Sequence, residues 1–340
     1  MTQPTTNASL ACASSSRLRV AALILLVAAG LLAPLAVYPV FMMKIYCFAL
    51  FAGAFNLLFG FAGLMSFGHA AFLGSAAYAT GYAVKRLGFP PELGILAGTA
   101  AAALLGLLVG RLAIRREGIY FSMVTLALAQ MVYFICVQAP FTGSEDGMQG
   151  IPRGHLLGFI DLDNMFAMYY FVLAIFVFGF FAIYRIVHSP FGQVLKAIRE
   201  NEPRAISLGY DVQRYKLVTF VLSAGLAGLA GATKTLVLQL VTLTDVHWAT
   251  SGEAVLMTLV GGMGTIFGPL VGALVVVSLE HYLAGLGSWV TLIMGLIFMA
   301  CVLMFREGIV GTAKSLWSRR KAQPATDADA PPDTPIAAEA

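Results

Sequence analysis

Nine polar or ionisable side chains interrupt otherwise apolar stretches of this 340-residue sequence: Asn56, Ser66, His69, Thr125, Gln130, Lys234, Glu253, Thr258 and Glu280. In lipid such groups are costly, and they face a bundle interior or an aqueous path. Their chemistry is hydrogen bonding and charge recognition. For each, substrate contact and helix–helix bonding are open alternatives. For His69 the expectation is a helix–helix hydrogen bond, because no acidic partner lies near it in sequence to form a proton relay. No catalytic set assembles around these residues. His69, His155, His188, His247 and His281 are scattered, and HExxH, GxSxG and paired-ligand patterns are absent. Cys12, Cys47, Cys136 and Cys301 show no CxxC spacing and read as packing thiols. GLAGLAGATKT, Gly225–Thr235, has Thr233 where a phosphate loop needs Gly directly before its lysine. Close helix packing is its better reading. No catalytic residue, metal site or cofactor of its own is therefore expected, and any ATP must be hydrolysed by another chain.

The most informative polar stretch is SPFGQVLKAIRENEPRAISLGYDVQRYK, residues 189–216. Ser189 can cap a helix that begins at Pro190. Phe191, Val194, Leu195 and Ile198 then recur as one apolar stripe, with Lys196, Arg199 and Glu200 on other faces. Asn201 can cap a second short helix through Glu202 and Pro203, past Leu208 to a left-handed cap at Gly209. Two amphipathic helices exceed what a linker requires. Expected here is a knob that docks a cytoplasmic partner through Phe191, Val194, Leu195, Ile198, Arg199, Glu200, Pro203, Leu208 and Gly209. A membrane-surface helix is the alternative.

The remaining sequence must position these groups, and it is membrane-like. Hydrophobic residues make up 59% and charged residues 11%, against about 25% charged in a soluble domain. Apolar segments near 20–38, 41–59, 62–84, 92–113, 118–138, 166–187, 217–241, 252–263, 266–283 and 287–305 suggest an all-α polytopic bundle of about ten spans. The second and third are separated almost only by Gly60 and Gly63, and the eighth is too short for a straight crossing, so broken or tilted helices are expected. GLMSFGHAAFLGSAAYATG, residues 63–81, contains twelve Gly, Ala, Ser or Thr among its 19 residues. Such a segment, with Gly68 and Gly74 on it, suits close packing against moving neighbours. Lys234 within the seventh span either snorkels outward or lines the path. Arg111, Arg115 and Arg116, then Lys196 to Lys216, then Arg306 to Lys321 mark the inside, while 139–165 fits outside. Lys85 and Arg86 fall outside, against that rule. The expected organisation is a cytoplasmic tail over 1–19, a permease domain over 20–311 with a cytoplasmic loop over 188–216, and a disordered cytoplasmic tail over 312–340. A retained first helix is preferred to a cleaved signal peptide.

Five blocks, in order, carry a family resemblance: NLLFGFAGLMSFGHAAFLGSAAYATG, GIYFSMVTLALAQ, TGSEDGMQGIP, SPFGQVLKAIRENEPRAISLGYDVQRYKLVTFVLSAGLAGLAGA and SGEAVLMTLVGGMGTIFGPLVGA. From about 41 to 311 the sequence resembles the LivM-type permease subunits of branched-chain amino-acid ABC transporters. The resemblance implies a type II importer-like fold in a bacterial inner membrane. It implies a LivH-like second permease, two cytoplasmic ATPase subunits using ATP and Mg, and a periplasmic substrate-binding protein as partners. It also implies that the 189–209 loop seats in an ATPase groove. Surrounding membrane lipid is expected as a partner, and nucleic acid is not. Leucine, isoleucine and valine are the implied substrates, with urea or short amides as the family alternative. A stand-alone secondary transporter is the alternative outside the family; paired mid-membrane charges would favour it.

Overall fold

The computed structural model describes residues 30–35, 38–156, 158, 160–287, 289–304 and 308–312. It is a helical bundle. Helix α1, Pro39–Asn56, starts with proline in its first turn and runs into a π-helical turn at Leu57–Phe61. Then follow α2 His69–Lys85, α3 Pro91–Ala113, α4 Gly118–Gln138 and α5 Met165–His188. Two short helices, α6 Pro190–Glu200 and α7 Glu202–Ser207, lead into the 27-residue α8, Val212–Leu238. The remainder is α9 Trp248–Gly261, α10 Gly268–Leu283 and α11 Trp289–Met304. Two antiparallel ribbons close one end, pairing Met148–Gln149 with Leu240–Val241 and His155–Leu156 with Ile160–Asp161.

Five helices are long and apolar enough to cross a membrane: Pro39–Phe61, α3, α4, α5 and α8; α10 is a shorter apolar helix. The chain is a multi-pass membrane protein. Nine of the ten expected spans correspond to helices, while the segment 20–38 falls mainly outside the described residues. Two expected spans are corrected. The third is not helical from 62: residues 63–66 are unwound and α2 begins at His69. The eighth starts earlier and stops sooner than 252–263, as a 14-residue helix ended by Gly262 at φ 119°. Glycine adopts that backbone without a side-chain clash.

Apolar transfer from water does not drive helices together within lipid, so close packing must. Central α1 buries Phe51 and Phe55 completely, and its π turn buries Leu57 and Leu58. Helices α2, α3 and α8 meet through small residues: Gly98 abuts the Ala76 carbonyl, Gly228 abuts Ala102, and Gly231 abuts the Leu73 carbonyl. On α9 and α10, Gly272 presses on the Met257 carbonyl in the same way. A methyl at any of these four positions would overlap its neighbour.

Candidate functional site

The first chain break lies between α1 and α2. A π turn widens the ladder at Leu57–Phe61, and Gly63 at φ 74° turns the chain. Ser66 holds the unwound segment from within, its hydroxyl accepting from the Gly68 amide at 3.2 Å. From α4, Ser122 donates to the Met65 carbonyl at 2.6 Å. Thr125 is buried beside it, donating to the Ser122 carbonyl at 2.9 Å, with its own carbonyl against Gly68. His69 opens α2 and is fully buried, with Nε2 2.8 Å from Ser223 Oγ on α8. Ser223 donates to the Ala54 carbonyl of α1 at 2.6 Å, so its oxygen accepts from His69 Nε2–H. Phe55, Phe72 and Phe220 surround the imidazole edge-on. The Ala70 amide donates to Ser251 on α9 at 2.8 Å.

The second break is the loop between α9 and α10. Asn56 spans to it with both ends of its amide: Nδ2 donates to the Thr265 carbonyl at 2.8 Å, and Oδ1 accepts from the Gly264 amide at 3.0 Å. Thr265 closes the loop on itself, donating to the Gly262 carbonyl at 2.8 Å and accepting from the Gly268 amide at 3.1 Å. Thr258 is satisfied within α9 by the Ala254 carbonyl at 2.8 Å. Asn56 is one turn before Gly60, so it brings the two breaks together.

The helix pair α6–α7 sits beneath them. Ser189 and Asn201 cap its two helices, accepting from the Gly192 and Arg204 amides at 3.3 and 3.1 Å. Gly209 turns the chain at φ 86°. The apolar stripe faces inward. Leu195 and Ile198 are buried, Val194 is half-buried, and Phe191 stacks on Tyr215 at 5.3 Å. Ile198 joins Ala205 and Val212 in a small core of its own. Glu200, Pro203, Leu208 and Gly209 are exposed. Beside them the surface offers two apolar residues that the stripe argument passes over, Ile206 and Tyr210. Arg199 is an exposed residue, yet its guanidinium turns inward and donates to the Gly60 carbonyl. Lys216 of α8 bonds Glu202 at 2.6 Å and fixes α7 in place.

A charged layer occupies the opposite end of the bundle. Lys234 neither snorkels nor stands alone: it pairs with Asp245 at 2.5 Å, both almost buried, and sits 4.8 Å from the centre of the Phe48 ring. Lys44 pairs with Glu280 at 3.1 Å. Half-buried Glu253 lies in the field of both pairs. Gln130 is half-buried on α4 and joins neither network. Gly74 meets Val246, just beyond Asp245. Lys85, exposed at that end of α2, donates to the Gln149 carbonyl at 2.5 Å.

Sequence reasoning did not reach Ser122, Ser223, Ser251, Thr265 or Asp245. Small hydroxyls inside apolar runs recur throughout this chain, and nothing in their spacing marks those that bridge helices. Asp245 lies eleven residues from Lys234, across the turn that ends α8.

Unwound segments held by hydroxyls, small-residue helix seams and long apolar helices define a multi-pass helical membrane protein. The chain belongs to the family described as the permease component of the branched-chain amino acid transport system, whose pattern matches residues 38–305. It is similar to the high-affinity branched-chain amino acid transport system permease protein LivM of Escherichia coli strain K12, with 27% identity over 282 residues. That alignment covers 75% of this chain and 65% of the relative, so the chain spans about two thirds of that protein's length. A probable LivM protein of Methanocaldococcus jannaschii is 26% identical over 64% of this chain and 73% of its own. The ribose import permease protein RbsC of Bacillus subtilis is 30% identical over 48% of this chain and 51% of its own. No solved structure matches the chain.

Proposed function

We propose that this chain is one permease subunit of an ATP-driven importer that carries branched-chain amino acids across the cytoplasmic membrane. The observation that carries the reading is family membership over residues 38–305, nearly the whole helical bundle. The relatives named LivM, and a probable branched-chain amino acid transport permease protein LivH of Methanocaldococcus jannaschii to which the chain is also similar, support a second, LivH-like permease beside this one. Two cytoplasmic ATPases would use ATP and Mg, and a soluble binding protein would deliver leucine, isoleucine or valine. The chain itself acts as a transport subunit, not an enzyme.

In this reading both termini and the α6–α7 pair lie on the cytoplasmic side, which agrees with the lysine and arginine distribution. Ile206, Leu208 and Tyr210 form the apolar tip that enters an ATPase groove, with Glu200 and Pro203 at its rim. The stripe of Phe191, Val194, Leu195 and Ile198 anchors the pair to its own bundle. Asn56, Ser66 and His69 keep the broken segments hydrogen-bonded where they cross the membrane, while Thr125 and Thr258 satisfy their hydroxyls within α4 and α9. Glu253 and the lysine pairs stand at the entrance on the other side.

Pull-down of the tagged chain from native membranes in mild detergent, followed by mass spectrometry, tests this reading. Two ATPases and a second permease should come with it. A chain recovered alone, stable and active without ATP, would contradict it.

A further inference from the structure

Both chain breaks and the helix pair meet at one side chain. Arg199 lies near the end of α6, and its stem covers Gly63: a Cβ on that glycine would stand 3.1 Å from Arg199 Cγ. Its guanidinium donates to the Gly60 carbonyl. The same guanidinium borders Gly264, whose Cβ position lies 3.2 Å from the Arg199 Nη1 atom. Gly60 and Gly264 touch each other, since a Cβ on Gly60 would stand 2.7 Å from the Gly264 nitrogen. Side chains at these three glycines would therefore push the arginine or the loop away.

The Gly60 carbonyl is open to a donor because the chain leaves the helix there: the Leu64 amide bonds back to the Leu58 carbonyl at 3.2 Å, past Gly60. A guanidinium suits that place, having several donors in a rigid fork and a permanent charge. Lys196, one turn earlier on α6, adds a weaker contact, its Nζ 5.9 Å from the centre of the Phe61 ring. The helix pair is otherwise fastened to α8, through Lys216–Glu202 and the Ile198–Ala205–Val212 core. Arg199 reaches out of that body to the α1–α2 break. Asn56 carries the connection on to the α9–α10 loop.

We propose that Arg199 is the positioning residue that ties displacement of the α6–α7 pair to both broken segments, so that they rearrange together. Docking and transmission are then divided between side chains. The Ile206–Tyr210 tip meets the partner, and Arg199 passes the movement inward. This inference rests on the ABC-importer reading above.

The test uses the intact complex in proteoliposomes, measuring amino-acid uptake and ATP hydrolysis in the same vesicles. For R199A, the ATPases should still co-purify and hydrolysis should stay within about twofold, while uptake per ATP falls about tenfold, a usual size for coupling between sites. R199K retains a charge but not the fork, and should fall between the two. N56A, which cuts the next link, should uncouple as R199A does. An unchanged ratio of uptake to hydrolysis in R199A overturns the assignment, as does a parallel fall in both, which would mean lost docking. Wild-type uptake that proceeds without ATP would overturn the importer reading as well, and so separates the two failures.

Discussion

Lys234 and Asp245 form a pair whose desolvation only the partner offsets. Removing one member of a buried pair leaves an uncompensated charge and costs about 3–5 kcal/mol, whereas replacing both with apolar residues is often neutral. Lys234→Met should therefore lower the unfolding temperature of the detergent-solubilised chain, and Lys234→Met with Asp245→Leu should recover most of the loss. Equal losses for the single and double variants would mean that the pair is not coupled. Asn56 gives a second expectation at this scale. Asn56→Ala removes the partners of the part-buried Gly264 amide and Thr265 carbonyl, at about 1 kcal/mol for each lost bond. Melting of that variant in the same detergent checks it. Lys234 and Asn56 were legible in the sequence, because charge and amide groups stand out in an apolar run. Their partners were not. Asn56 bonds main chain more than 200 positions away, and no local pattern encodes that.

Among elements, the helix pair was the most legible. Its caps at Ser189 and Asn201 and its glycine turn follow from residue types at fixed offsets. The direction of its apolar face did not follow, because an amphipathic stripe can bury against its own chain as readily as against a partner. Here Tyr215 and Val212 of α8 cover it, and the apolar tip at 206–210 is left outward. I206E with L208E should therefore reduce co-purified ATPase strongly while the chain still reaches the membrane. V194A should instead loosen the pair without altering the exposed 206–210 tip, and so reduce co-purified ATPase less. Gly209→Pro should also weaken docking, because proline fixes φ near −65° against the observed 86° and removes the amide that bonds the Ile206 carbonyl. Quantitative mass spectrometry of the purified complexes checks all three. The break at 63–68 was only half legible: Gly60 and Gly63 signalled an interruption, but the unwound stretch takes a hydrogen bond from Ser122 on α4, and the elements on either side of it are held by Ser223 and Ser251 from other helices.

For the molecule as a whole, composition settled the membrane class, and the Lys and Arg distribution gave an orientation. The helix ends agree with one alternating path: α5 leads to the 189–211 pair and α8 leads away, so the pair and the charged layer lie at opposite ends. Single cysteines at Leu208 and Gly88, in a chain lacking its native cysteines, should accordingly label from opposite sides of sealed vesicles, Leu208 from the cytoplasmic side. Labelling of both from one side would overturn the orientation.

The most direct test of the transport reading is leucine accumulation in proteoliposomes containing the purified complex and its binding protein, with and without enclosed ATP. ATP-dependent accumulation that is lost when this chain is omitted is the expected result. Equal leucine entry without ATP, by the chain alone, would contradict it.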